Sequence, residues 1–193
     1  MEISKKRNFR KGAGMINTEN TVFLMIDIQE KLVYMLKNSA EIAKNNFVMA
    51  NAASILNVPV ILTEQYPQGL GSIINQVKSF VDENNIFEKT SFSALNVEEV
   101  KSALEKTGRK KVVLSGIETH ICVYQTARAL LDAGYEVYVV KNACASRSKK
   151  DYRTALELMR DYGAKLTCVE TVLFELLGSS KHPNFKEVQL LIK

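Results

Sequence analysis

Asp27, Lys89 and Cys122 are the residues of this 193-residue chain whose type and setting could do chemistry. Cys122 lies in GIETHICVYQTA, where an apolar, β-rich run ends at Gly116 and a helical pattern follows. With Thr119 as N-cap, Cys122 falls in the first helical turn. There, free N–H groups and the positive end of the helix dipole favour a thiolate. The same N–H groups suit the oxyanion formed when a thiolate attacks a carbonyl. The competing explanation is a small buried residue packing the helix onto a sheet, since free cysteine is among the most buried residue types. Asp27 closes the otherwise apolar VFLMIDIQ. Aspartate is disfavoured in strands and costly to bury alone, so it needs a partner, a task or backbone hydrogen bonds. A phosphotransfer role is weakened because no D-x-D follows; Ile28 and Gln29 stand there instead. Lys89, between Phe87 and Phe92, could equally be a surface lysine laying its stem on apolar neighbours. Brought together, the three would make a base, an electrostatic partner and a nucleophile.

Other motifs are missing. The G-x-G pairs Gly12/Gly14 and Gly69/Gly71 do not follow a strand and open a helix with a third glycine. No P-loop, HExxH or G-x-S-x-G occurs. With two histidines, His120 and His182, a His-rich zinc site is not available from this chain.

The elements that must position these residues alternate along the chain. Strand-like runs cover Val22–Ile28, Pro59–Glu64, Lys111–Gly116, Tyr135–Val140 and Lys165–Glu170, and FEKTSFSA reads as a further short strand. Continuous Val/Ile/Leu runs suit strands buried on both faces of a parallel sheet. Between them lie helical patterns over Ser39–Asn57, Val97–Thr107, Ile121–Ala133 and Lys149–Tyr162. In the last, Tyr152, Ala155, Leu156, Met159 and Tyr162 share one face. Repeated βα units predict an α/β fold, a doubly wound, three-layer αβα arrangement on a mostly parallel sheet of about six strands. Residues 65–94 are the least regular part: TEQYPQGLGS reads as a loop leading into a short helix ahead of FEKTSFSA, and loops at strand carboxyl ends are where such sheets place their sites.

Charge and cysteine content narrow the partners. Lys and Arg number 26 against 21 Asp and Glu, a net charge of +5. Most of the surplus lies in residues 1–14, where Lys5, Lys6, Arg7, Arg10 and Lys11 face only Glu2. That basic leader reads as a disordered tail, or alternatively a mitochondrial transit peptide, ahead of one domain over 15–193. The near-neutral body argues against a nucleic-acid partner. Three cysteines without a CxxC argue against a disulfide framework and point to a reducing, cytoplasmic setting. No apolar run approaches the ~18 residues of a membrane span.

The MIDIQ aspartate, the FEKTSFSAL lysine and the GIETHICVYQTA block, followed by GYEVYVV and the Ser146–Arg147 pair, resemble the isochorismatase-like hydrolases. This is the cysteine hydrolase superfamily that includes nicotinamidases and carbamoylsarcosine amidases. The loop TEQYPQGLG and the tail LFELLGSSKHPNFKEV look like its YcaC-related branch. The resemblance covers the chain from about Met15 onward and maps an Asp-Lys-Cys triad onto Asp27, Lys89 and Cys122. It implies a non-proline cis peptide between Ile117 and Glu118 that turns N–H groups toward an oxyanion. It also implies that the strands bearing Asp27 and Cys122 are neighbours at the topological switch point.

Nicotinamidases hold a metal through histidines after the second strand. This chain has none there, so the resemblance implies no metal and no cofactor. Retention of the cysteine implies acyl or amide chemistry. Asn142 stands where many relatives carry aspartate. Gln29, Gln65, Tyr66, Phe92 and His120 are the candidate substrate-binding residues, although His120 could simply fill the turn and Phe92 the core. Cys144 and Cys168 read as packing residues. The expected activity is metal-independent hydrolysis of a C–N or related acyl bond in a small molecule, by a homo-oligomer between dimer and octamer. Two alternatives stand beside it: a non-catalytic binding or scaffold protein associated with nucleic acid through the leader, and a thiol redox protein using Cys122.

Overall fold

A computed structural model describes residues 14–193; the basic leader expected over 1–14 lies, but for Gly14, outside the described residues. The chain order is β1 (Thr21–Ile26), α1 (Glu30–Tyr34), α2 (Ser39–Ile55), β2 (Val60–Gln65), α3 (Pro67–Leu70), α4 (Asn75–Lys78), β3 (Ile86–Lys89) and α5 (Glu98–Lys106). It continues with β4 (Lys111–Ile117), a π-helical turn over Thr119–Val123, α6 (Tyr124–Asp132), β5 (Glu136–Ala145), α7 (Lys149–Tyr162), β6 (Lys165–Thr167), α8 (Val169–Leu177) and α9 (Phe185–Leu190). All six strands pair in parallel in the order β3-β2-β1-β4-β5-β6. The order reverses direction between β1 and β4, and the crevice at their carboxyl ends is where an open α/β sheet binds its ligands.

Every residue of β1 is buried, and its side chains alternate between two cores. Phe23 and Met25 join the cluster beneath α2 and α8, whereas Val22, Leu24 and Ile26 join the one beneath α5, α6 and α7. Val113 and Val112 of β4 divide in the same way. A continuous apolar run is what a strand covered on both faces requires. The helices supply the cover. α7, for instance, turns Ala155, Leu156 and Met159 inward and is capped by Ser148, whose hydroxyl accepts from the Asp151 N–H at 3.3 Å. Among the described residues no helix is long and apolar enough to cross a membrane.

Three expected boundaries shift. β5 extends to Ala145 instead of ending at Val140, because β4 runs on past an irregularity at Leu114/Gly116 and pairs Gly116 with Cys144 and Ile117 with Ala145. β6 stops at Thr167, since Cys168 already occupies the N-cap of α8. The helix after β4 starts with the π-helical turn capped by Glu118, not Thr119, whose buried hydroxyl has no hydrogen-bond partner. Within 65–94 the expected short helix and short strand form as α4 and β3, and the preceding loop holds one further helical turn, α3.

Candidate active site

Four adjacent strands deliver the site. Asp27 is the first residue beyond β1, fully buried, with φ of 52°. Aspartate tolerates this left-handed conformation better than most residues, and here it tips the side chain off the strand line. Thr63 near the end of β2 donates its hydroxyl to Asp27 Oδ1 at 2.7 Å. Lys89 closes β3 and donates to Asp27 Oδ2 at 2.6 Å, the side chains of both being inaccessible. The Lys89 ammonium also donates to Gln65 Oε1 at 2.7 Å. A dry ion pair of this kind is held by its extra hydrogen bonds as much as by attraction, because removing two charges from water is expensive.

Cys122 reaches the same cluster from β4 and the turn that follows. Its thiol, 7% exposed, feels both the Asp27 carboxylate and the Lys89 ammonium. Burial first, and then Asp27, push the thiol from 9.0 up to about 12, with Lys89 opposing them. The lowered thiol expected from the first-turn position is therefore corrected: burial and the neighbouring Asp27 carboxylate push it up. Burial likewise raises Asp27, against the pull of Lys89, Thr63 and Cys122.

β4 can approach β1 this closely only because of Gly116, at φ of 138°. A Cβ there would lie 2.2 Å from the Ile26 carbonyl oxygen, so no other residue fits without moving the strands apart. The Ile117–Glu118 bond beyond it is cis. Glu118 is 7% exposed and accepts from the Arg147 N–H at 2.9 Å, with Arg147 Nε at 3.6 Å from its other oxygen. His120 Nδ1 lies 2.9 Å from Ser146 Oγ. The Ser146–Arg147 segment is thus fastened to the turn that carries Cys122.

The substrate-binding candidates divide. Gln29 is fully buried; its Nε2 donates to the carbonyls of Gln65 (3.0 Å) and Gly71 (2.6 Å), and its Oε1 accepts from the Gln65 N–H at 2.8 Å. Gln29 is therefore a strut behind the site, with no group to offer a substrate. Gln65 serves Lys89 and, through Nε2, the Thr90 carbonyl at 2.8 Å. Tyr66 is 56% exposed and shares a cavity of about 410 Å³ with Lys89 and Ser91. Phe92 is 53% exposed, which removes it from the core. His120 is half-buried. Cys144 packs as expected, whereas Cys168 is half-buried at a helix cap. Among the described residues no three of His, Cys, Asp and Glu gather in a way that could hold a metal ion. Sequence reasoning missed Thr63, whose only signal is a hydroxyl in the otherwise apolar start of VILTEQ.

Comparison with known proteins agrees with this frame. The family model described as "Isochorismatase domain" matches residues 21–171. Isochorismatase domain-containing protein 2 of Xenopus laevis is 42% identical over 179 residues, 93% of this chain and 86% of that protein; some longer relatives are covered over 63% of their length. The solved structure of MAR1 Ribonuclease from Caenorhabditis elegans superposes with a TM-score of 0.87 at 42% identity, covering 93% of this chain and 92% of that one. The YcaC gene product of Escherichia coli, described as an octameric hydrolase of unknown specificity, shares the fold with a TM-score of 0.83 at 21% identity, over 91% and 95% of the two chains.

Proposed function

The chain belongs to the isochorismatase family of hydrolases, and on that footing we propose that it is a metal-independent cysteine hydrolase cleaving a C–N or related acyl bond of a small molecule. The observation that carries this reading is the buried convergence of Asp27, Lys89 and Cys122 at the β1/β4 switch point.

The resting thiol is neutral. Burial raises the thiol and makes a free thiolate costly ahead of attack. The proton therefore leaves as sulfur attacks. Asp27 takes it while the Cys122 Sγ–C bond forms and the acyl π electrons move onto oxygen. Lys89 keeps the carboxylate charged until that moment and offsets the negative charge passed to the acyl oxygen. N–H groups at the start of the Thr119–Asp132 helical stretch are the oxyanion donors in this reading. Collapse expels the amine, which takes the proton from Asp27 and leaves a thioester. Water, deprotonated by Asp27, then attacks the thioester; the Sγ–C bond breaks, the acid leaves, and the Cys122 sulfur takes the proton back from Asp27. The enzyme works as a homo-oligomer in this reading, a state supported by the octameric description of YcaC.

Cys122→Ala should lower turnover by about 10⁴-fold or more and abolish the acyl-enzyme mass in an amide, ester and carbamate screen, with the melting temperature nearly unchanged. Retained turnover would overturn the mechanism.

The ribonuclease name of the 42% identical neighbour supports a second reading, RNA hydrolysis with Asp27 as general base. It is separated by one assay on a single-stranded oligoribonucleotide. Cleavage that survives Cys122→Ser and is lost in Asp27→Asn favours that reading over the thioester.

A further inference from the structure

A cavity of about 720 Å³ opens at the carboxyl end of β5, between the N-terminal ends of α2 and α7. Its walls include neither Asp27, Lys89 nor Cys122. Four cations reach it, Lys37, Lys141, Arg147 and Lys149, against the single carboxylate of Glu41. Arg147 is partnered by Glu118. Among the described residues the other three make no ion pair. Three ammonium groups answered only by Glu41 around one concavity leave a positive local potential, which an anion relieves.

Other features specify the anion. Ser148 caps α7 through the Asp151 N–H alone, which leaves the Lys149 and Lys150 amides without an intrahelical acceptor at the start of a 14-residue helix whose Lys149 lines the cavity. The floor is apolar, formed by Ile42, Cys144 and Ala145. The Tyr152 ring stands at one side, its hydroxyl tied to the Lys141 carbonyl at 2.9 Å. A bare inorganic ion would leave this floor and most of the volume unfilled. Cavities of this size, apolar with a few convergent polar groups, suit small organic molecules. A polynucleotide would call for a basic stripe across a surface instead of one local patch.

We propose that this cavity is a second ligand site, separate from the thiol cluster, that takes a small organic molecule bearing a phosphate monoester. The phosphate lies among Lys141, Lys149 and the α7 amides, and the organic body covers the Ile42–Ala145 floor. The proposal stands independently of the thioester reading.

The test is isothermal titration of the full chain with adenosine 5′-monophosphate at moderate salt, followed by competition with inorganic phosphate. Saturable 1:1 binding that phosphate displaces is expected. K141E/K149E should weaken it at least about tenfold; both side chains are exposed, so the fold should persist. Should that charge reversal disturb folding, K141Q/K149Q serves in its place with a smaller loss in the same direction. Binding should be unchanged in Cys122→Ala and after alkylation of Cys122. No binding of either probe overturns the proposal, as does affinity within twofold of the parent in both lysine variants, or loss of binding in Cys122→Ala. Binding of a 5′-hydroxyl oligoribonucleotide without binding of the monophosphate also overturns it.

Discussion

The carboxyl edge of the sheet handles charge in two opposite ways. At the ends of β1–β3 the Asp27 and Lys89 charges are buried and answered: Lys89 by Asp27 and Gln65, Asp27 by Lys89 and Thr63. At the end of β5, Lys141 and Lys149 stand at the surface without an acidic partner among the described residues. The first arrangement neutralises its own charges internally and fixes atoms in place, as a reacting centre requires. The second leaves its positive field open, which suits capture of something negative. One sheet edge can hold both because the fold sets burial strand by strand.

Replacing one lysine in each region tests that contrast most strongly. Lys89→Met strands the Asp27 carboxylate in a dry site and should cost about 3–5 kcal/mol in urea unfolding. Lys141→Met should stay within about 0.5 kcal/mol. Equal losses would erase the distinction.

Alkali comes next. The thiols of Cys122 and Cys144 are both pushed from 9.0 up to about 12 by burial. A folded value above the unfolded one means that this stability is whole below pH 9 and is lost as pH climbs toward 12. Unfolding midpoints should therefore fall across that window, and less steeply in Cys122→Ala. By the same sign, iodoacetamide should label Cys122 slowly at pH 7 in the absence of substrate and faster as pH rises. Rapid neutral labelling would contradict the neutral resting thiol.

Thr63→Val removes one hydrogen bond to a charged oxygen while keeping the shape. A loss of about 1.5–3 kcal/mol, with reduced turnover of any identified substrate, is expected. The smallest effect belongs to Arg147→Ala. Its side chain is 63% exposed and the Glu118 contact is also made by the backbone N–H, so denaturant melts should move by about 1 kcal/mol or less.

Legibility in the sequence followed the range of the interaction. β1 and β4 were readable because a strand covered on both faces must be apolar throughout, and VFLMI and VVL can be little else. Asp27, Lys89 and Cys122 were marked by motif resemblance, each standing out against its neighbours. Thr63 was not, since threonine in a strand is ordinary. The Glu118–Arg147 and His120–Ser146 contacts join segments far apart in sequence, and nothing local in either segment announces the other. β5 reads short in the sequence because Lys141 and Asn142 interrupt its apolar run, whereas the strand is completed by hydrogen bonds to the extended end of β4. Local sequence points the Cys122 thiol in the wrong direction for a related reason. A helix dipole is a local property, but desolvation is set by everything packed above it.

The position of β1 has a consequence in time as well as in space. It is flanked by β2 and β4 and roofed on both faces, so its amides should open to solvent only when the whole domain does, whereas β3 and β6 lie at the sheet margins. Asp27 hangs directly from this inner strand, so local breathing at the sheet margins should leave its geometry untouched.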